Sequence, residues 1–218
     1  RLAAPAAAAN APVAGPSSGS AVFDVAIIGL SGRYPMANDM ETFWSNLSQG
    51  RHCVSEVPAD RWDWRRFHDE DPDKAGTIYT RWGGFLDRID QFDPLFFRIS
   101  PKDAKSIDPQ ERLFLQACYH AIEDAGYRPD TLARPEKVGV FVGAMNARYT
   151  AQPLHYSIAN RVSFALDFQG PSVAVDTACS SSLTAIHFAL DSLYSGLSEC
   201  AIAGGVNLII DAGHYQEL

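Results

Sequence analysis

The segment best suited to chemistry reads DTACSSSL (residues 176–183) and places Cys179 where a β-strand pattern meets a helix pattern. A side chain at such a sharp turn stands clear of the sheet, and the positive end of the helix dipole favours a thiolate there. Free amides at the helix start, that of Cys179 among them, can stabilise the oxyanion formed when a thiolate attacks a carbonyl carbon. These residues indicate acyl transfer by a cysteine nucleophile. They are equally compatible with a buried, inert cysteine beside a serine-rich helix cap.

The other cysteines and the histidines predict no competing site. Cys53, Cys118 and Cys200 are too widely spaced for a zinc motif or for the disulfide framework of a small secreted domain, and we interpret each as a small hydrophobic residue. His187 lies on the same predicted helix as Cys179 but about 12 Å further along, beyond hydrogen-bond reach of the sulfur. The remaining histidines are interpreted as surface or packing residues: His52, His68, His120, His155 and His214. No metal site and no cofactor-binding site is predicted.

Two elements have to position Cys179. The apolar run at residues 172–176 predicts a buried strand, and the pattern from Ser181 to Tyr194 predicts a helix that Gly196 ends. We expect the large apolar residues of this helix to face the core: Leu183, Ile186, Leu190, Leu193 and Tyr194.

Strands and helices alternate along the rest of the chain. Buried strands are predicted over residues 22–28, 137–143 and 200–210, the last broken at a pair of glycines. Helices are predicted over residues 40–49, 109–125 and 157–166. The alternation indicates an α/β domain with a largely parallel sheet that is covered on both sides.

Local signals mark the start of one predicted helix and the turn after the first predicted strand. Asp108 is expected to cap the second helix, with Pro109 in its first helical position and Glu111 completing a capping box. Gly29 and Gly32 lack the full glycine pattern of a phosphate-binding loop, so we interpret them as a structural turn.

Composition excludes several classes of function. The 218 residues carry 18 Lys and Arg against 26 Asp and Glu, a formal charge of -8, and 46% of them are hydrophobic. This indicates a globular chain of one or at most two domains and argues against nucleic acid or an anionic membrane as its partner. Because the sequence has no 18-residue apolar run and no basic-then-apolar leader, we predict no membrane span, no secretory signal and a cytoplasmic location.

The sequence divides into a linker and a folded domain. Residues 1–20 are rich in alanine, proline and serine and predict a linker, and residues 21–218 predict the domain. The chain begins with Arg1 and ends eight residues after its last predicted strand. We therefore expect further polypeptide to belong at both ends.

The segment around Cys179 resembles the active-site signature of the β-ketoacyl synthase (ketosynthase) domains of bacterial modular polyketide synthases. The resemblance extends over residues 22–218 and is carried by a specific set of further motifs. These read VAIIG at 25–29, RYP at 33–35, FW at 43–44, VPADRW at 57–62, FDP at 92–94, DPQER at 108–112, GPS at 170–172 and AGGVN at 203–207.

The resemblance implies the first, N-terminal half of a thiolase-like fold, layered α-β-α-β-α and built from two similar halves. It implies that Cys179 accepts an acyl chain from the phosphopantetheine of an acyl carrier protein, for decarboxylative Claisen condensation with a malonyl-type extender. The histidines that promote decarboxylation belong to motifs reading HGTGT and NIGH, and neither occurs in these 218 residues. The resemblance thus implies an acyltransferase that is incomplete as this chain alone, a homodimer, a complementary C-terminal half as partner and no bound cofactor.

Two alternatives stay open at this point. The chain could be a non-catalytic scaffold or docking half that binds a carrier protein or a partner chain, or a thiolase-type enzyme that uses coenzyme A. The serine triplet after Cys179 and the aromatic loop at residues 61–67 favour the ketosynthase over the thiolase, by resemblance alone.

Overall fold

The computed structural model describes residues 24–132, 137–147, 149 and 154–216. Its main strands are β3 (Val138–Gly143), β4 (Ser172–Val175) and β5 (Cys200–Gly205), which form a parallel sheet in the order β4-β3-β5. A separate antiparallel pair is formed by β1 (Ser55–Glu56) and β2 (Trp82–Gly83). The linker predicted at residues 1–20 lies outside the described residues.

Helices account for most of the remaining regular structure. They are α1 (Met40–Ser48), α2 (Pro101–Ala104), α3 (Pro109–Asp124), α4 (Pro129–Leu132), α5 (His155–Leu166), α6 (Ser181–Tyr194) and α7 (Gly213–Gln216), with a 3₁₀ turn at Trp64–Arg66. The predicted helix starts are confirmed at α1 and α3, where the carboxylates of Asp39 and Asp108 accept hydrogen bonds from backbone amides of the first turn. No helix formed by the described residues is both long and apolar enough to cross a membrane.

The central strand β3 separates two packed layers. Val138, Val140 and Val142 alternate along it and are fully buried against α3 and α5, whereas Phe141 points to the opposite face and packs against α6. Every residue of β3 is buried, as expected for a parallel strand covered on both sides. The predicted α/β architecture with a two-sided parallel sheet is thereby confirmed.

The predicted orientation of α6 is wrong for Leu183 and Ile186. Small residues face the sheet instead of large ones: Ser181, Ala185, Ala189 and Ser192 are buried. Leu183 is 73% exposed and Ile186 is 44% exposed. The reason is steric, because glycines at the ends of the strands bring α6 so close to the sheet that only small side chains fit between them. Leu183 and Ile186 therefore point away from the described core, whereas Leu190, Leu193 and Tyr194 are half-buried.

The strand predicted over residues 22–28 is not formed in its described part. Residues 24–30 are irregular, and Ile27 is 87% exposed, since no described strand lies beside this segment to pair with it. The segment is held instead at its end, where the Leu30 amide donates to the carboxylate of Asp124 at 2.8 Å. A Cβ atom on Gly29 would lie 2.2 Å from the Ala121 carbonyl oxygen, so this glycine permits close packing against α3, as a structural turn requires.

Glu111 does not complete the predicted capping box. Its carboxylate accepts hydrogen bonds from the Ser157 hydroxyl at 2.9 Å and from the Arg161 side chain at 2.5 Å. The Glu111 side chain is only 8% exposed, so this ion pair lies largely out of water. It joins α3 to α5 and so stiffens the layer that supports β3 and β4.

Candidate active site

Cys179 lies in the five-residue junction between β4 and α6, at the carboxyl end of the sheet. The junction is fastened to the central strand, because the Ala144 amide donates to the carbonyl of Val175, the last residue of β4, at 3.1 Å. Residues 176–180 are exposed, and so is the cysteine side chain. The structure therefore has an accessible thiol at a strand-to-helix turn and not a cysteine buried beside a helix cap.

The residue before the cysteine has a strained backbone. Ala178 has φ of 54°, in the left-handed region where a residue with a Cβ atom is disfavoured by about 1 to 2 kcal/mol. Such conformations persist where the surrounding contacts hold them, and they concentrate at functional sites. The left-handed conformation of Ala178 turns the chain sharply, so that Cys179 lies exposed in the turn before α6 begins.

Hydrogen bonds hold both peptide groups that flank Ala178. The Ser181 hydroxyl donates to the Ala178 carbonyl at 2.6 Å and accepts from the Thr177 amide at 2.9 Å. The Asp176 carboxylate accepts from the Ala178 amide at 2.9 Å. Each such bond contributes on the order of 1 kcal/mol, so together they offset the backbone strain.

The hydroxyls of Thr177, Ser180 and Thr184 form a second group of hydrogen bonds at the junction. The Thr177 hydroxyl lies 2.9 Å from the hydroxyls of both Thr184 and Ser180, and Ser180 also donates to the Thr177 carbonyl at 2.8 Å. Ser180 is the N-cap residue of α6, but its side chain makes no capping bond to the helix amides. The hydroxyls of Ser180 and Ser181 thus bind to the backbone and side chains of the junction and do not cap the helix.

Two glycines let the first turn of α6 rest directly on the sheet. A Cβ atom on Gly143, the last residue of β3, would lie 2.5 Å from the Ser181 carbonyl carbon and 2.6 Å from the Ser182 nitrogen. A Cβ atom on Gly205, at the end of β5, would lie 2.1 Å from the Ser182 hydroxyl. The Gly143 contact is with backbone atoms and could be relieved only by moving the first turn of α6, so the height of Cys179 above the sheet depends on this glycine. The Gly205 contact is with a side-chain hydroxyl that can rotate away.

The predicted supply of free amides at the helix start is only partly present. The Ser180 amide donates to the Thr177 carbonyl at 3.4 Å, and the Ser181 amide donates to the Ala178 carbonyl at 3.0 Å. These two amides are therefore occupied by the turn itself. Since the amides of Thr177 and Ala178 are also bonded, the Cys179 amide is the expected oxyanion donor within residues 177–181.

The remaining cysteines differ from Cys179 in their surroundings. Cys118 is buried in the core of α3, as predicted, and burial raises the pKa of its thiol, which keeps it protonated and unreactive. Cys53 is partly exposed and its thiol lies 3.5 Å from the Arg51 carbonyl. Cys200 is predicted to be a small hydrophobic residue of a buried strand; it packs against the main core cluster but is only partly buried.

His187 and His120 pair with carboxylates on their own helices and not with the cysteine. His187 is 65% exposed and pairs with Asp191 at 3.3 Å on the outside of α6, which confirms it as a surface residue. His120 pairs with the carboxylate of Glu123 on α3 at 3.3 Å, a contact that was not predicted from the sequence. His155 is half-buried, and its Nε2 has no hydrogen-bond partner within the described ranges.

Comparison with known proteins identifies the family. A family model described as "Beta-ketoacyl synthase, N-terminal domain" matches residues 23–218. The chain belongs to this family. Among curated relatives, polyketide synthase PksM of Bacillus subtilis strain 168 is 61% identical over 203 residues, which cover 93% of this ketosynthase chain and 5% of the relative. Polyketide synthase ThaG of Burkholderia thailandensis is 50% identical over 208 residues, covering 89% of the chain and 4% of the relative.

Solved ketosynthase structures share the fold. The oxazolomycin ketosynthase domain OzmH KS7 of Streptomyces albus JA3453 superposes with a TM-score of 0.84 at 47% identity, over 88% of this chain and 36% of that one. The ketosynthase from module 6 of the bacillaene synthase of Bacillus subtilis 168 superposes with a TM-score of 0.81 at 38% identity, over 88% and 33%. This chain is thus a ketosynthase N-terminal domain of the polyketide synthase type with a thiolase-like fold, and it spans about a third of a solved ketosynthase chain.

Proposed function

We propose that this chain is the acyl-accepting half of a polyketide ketosynthase, in which Cys179 takes an acyl chain from the phosphopantetheine of an acyl carrier protein. The observation that carries the proposal is the exposed Cys179 at the strained β4–α6 junction, within a segment that matches the ketosynthase signature. Cys118 cannot take this role, because it is buried and burial raises the pKa of its thiol, which keeps the thiol protonated.

The proposed reaction is a thioester exchange. The Cys179 thiolate attacks the carbonyl carbon of the carrier thioester, a new C–S bond forms, and the carbonyl π electrons move onto oxygen. The Cys179 amide stabilises this oxyanion. When the carbonyl re-forms, the original C–S bond breaks and the pantetheine leaves as a thiolate, which takes up a proton equivalent to the one that the cysteine lost to solvent.

Completion of the cycle requires groups that these 218 residues do not contain. By resemblance to the family, two histidines of a complementary C-terminal half promote decarboxylation of a malonyl-type extender, and the resulting carbanion attacks the Cys179 thioester. The exposed apolar side chains of α6 and of residues 25–30 support such a half, because apolar surface of this extent favours burial against another element. We place the N-terminal ketosynthase half at residues 21–218, after a linker at residues 1–20.

We further propose that the ketosynthase is a homodimer paired near β4. This strand lies at an edge of the described three-stranded sheet, and an unpaired edge is a template for pairing with a second copy. Light scattering on the native polypeptide, with any neighbouring segments included, should give twice the mass of one subunit. A mass equal to one subunit at all accessible concentrations would exclude the dimer.

The choice of acyl donor tests the proposed function. Matched acyl thioesters of a holo carrier protein, of free pantetheine and of coenzyme A would be compared as donors, with covalent transfer followed by intact-protein mass spectrometry. We expect fastest transfer from the carrier protein, and no β-ketoacyl product from the 218 residues alone. Faster transfer from coenzyme A would favour a thiolase-type enzyme, and binding of the carrier without any transfer would favour a docking role.

A further inference from the structure

The Ser181 hydroxyl contacts the backbone on both sides of the strained Ala178. It donates to the Ala178 carbonyl and accepts from the Thr177 amide, so its single donor and one of its acceptor positions are both engaged by the junction. Ser181 is 5% exposed, which removes competition from water at these bonds. The hydroxyl is therefore built into the turn and is not a surface group.

The orientation of one peptide group follows from these contacts. The Ala178 carbonyl belongs to the same planar unit as the Cys179 amide, and in a trans peptide the C=O and N–H point in opposite directions. Because this carbonyl accepts from both the Ser181 hydroxyl at 2.6 Å and the Ser181 amide at 3.0 Å, it is aimed at the first turn of α6. The Cys179 N–H consequently points away from that turn.

We propose that Ser181 is a positioning residue for acylation: its hydroxyl fixes the Ala178–Cys179 peptide so that the Cys179 amide is aimed at the oxyanion of the attacked thioester. The inference rests on the proposed function, because it assigns a role in stabilising that oxyanion. Ser181 itself does not touch the substrate. Asp176 assists from the other side, because its carboxylate holds the Ala178 amide and so restrains the preceding peptide.

Two reactions of the same sulfur distinguish positioning from simple support of the fold. Thioester exchange passes through an oxyanion, whereas alkylation by iodoacetamide is a substitution at saturated carbon, in which a C–S bond forms, iodide leaves and no carbonyl oxygen gains the reacting charge. A group that aims an oxyanion donor affects the first reaction and not the second. A group that only supports the fold affects both to the same extent.

The test measures both rates at Cys179 in the native polypeptide, using an acyl-pantetheine thioester and iodoacetamide. Ser181→Ala is expected to slow acylation by about 10- to 100-fold, because the donor is misaimed and not removed, and to leave alkylation nearly unchanged. Ser181→Thr keeps the hydroxyl and should restore most of the acylation rate. Ser192→Ala is the matched control, since Ser192 lies on the same helix with the same 5% exposure and its hydroxyl is bonded to the Ser198 hydroxyl at the far end.

The exposed residue Asp176 supplies a second variant in case Ser181→Ala does not fold. Asp176→Ala should slow acylation more than alkylation, by a smaller factor than Ser181→Ala. Equal slowing of both reactions by these variants, or unchanged acylation in Ser181→Ala, would overturn the positioning role while leaving the proposed function intact. Failure of the unmodified protein to become acylated at Cys179 would instead overturn the proposed function.

Discussion

Replacement of Cys179 by alanine is expected to reduce formation of the acyl adduct by about 10⁶-fold, the scale of loss when a covalent nucleophile is removed. The sulfur is the atom that forms the new bond, and no other described cysteine is as exposed. Because the side chain is exposed and its removal leaves no cavity, the free energy of unfolding should change little. Intact-protein mass spectrometry after incubation with an acyl-pantetheine thioester measures the adduct, and urea unfolding checks the fold.

The control for this variant is Cys53→Ala. Cys53 is a partly exposed thiol whose described contact is the Arg51 carbonyl, so its removal tests the loss of a cysteine away from the junction. This variant should be acylated at the rate of the unmodified protein. An adduct that persists in Cys179→Ala, or disappears in Cys53→Ala, would contradict the assignment of Cys179 as the nucleophile.

Adding a single methyl group at Gly143 is expected to damage both the fold and the reaction. The new Cβ would meet the backbone of Ser181 and Ser182 at 2.5 to 2.8 Å, where backbone atoms cannot move aside as a flexible side chain would. Gly143→Ala should therefore lower the free energy of unfolding by about 1 to 3 kcal/mol, the usual cost of overpacking. Displacement of the first turn of α6 by about 1 Å should also slow acylation of Cys179 by roughly 100-fold. Urea unfolding and time-resolved mass spectrometry measure the two effects.

Gly196→Ala is the control for Gly143→Ala, because it should lower the stability without moving the first turn of α6. Gly196 follows the far end of α6 with φ of 71° and has open space around it, so alanine there costs about 1 kcal/mol through backbone strain alone. This variant should be less stable than the unmodified protein but acylated at the same rate. If Gly143→Ala is acylated as fast as Gly196→Ala, the close contact between β3 and α6 does not set the position of Cys179.

Much of the fold could be predicted from local sequence signals. Asp108 as N-cap and Pro109 after it predict where α3 begins. In the structure α3 begins at Pro109, and the Asp108 carboxylate accepts a hydrogen bond from the Gln110 amide. The continuous apolar run at residues 138–143 defines a strand that is buried on both faces. These features depend on neighbours in sequence or on burial alone, which is why they can be recognised without knowledge of the tertiary contacts.

The errors arise where the missing information is tertiary. On α6, size and hydrophobicity predict that Leu183 and Ile186 are buried, but the glycines of two different strands decide how closely the helix approaches and which side chains fit. Residues 24–28 carry a strand pattern but remain irregular because a strand requires a partner, and none lies beside them in the described residues. An apolar sequence pattern indicates that a segment tends to be buried, but it does not indicate which other element covers that segment.

The site was predictable in outline and not in detail. A cysteine between a strand and a helix is compatible with an exposed thiol at a turn or with a buried thiol beside a cap, and the structure has the exposed arrangement at Cys179. The bridging role of Ser181 depends on the left-handed backbone of Ala178, which its side chain gives no reason to expect. The available signal was the serine triplet itself, since three hydroxyls exceed what one N-cap needs.

The most direct measurement is the location of the acyl group after exposure of the native polypeptide to a stable acyl-carrier thioester. Proteolysis and tandem mass spectrometry would assign the modified residue, with Cys53, Cys118 and Cys200 as internal comparisons in the same sample. The account predicts one acyl group per chain, on the peptide that contains Cys179. An acyl group on any other cysteine, or an unmodified Cys179 in a folded protein that binds the carrier, would contradict it.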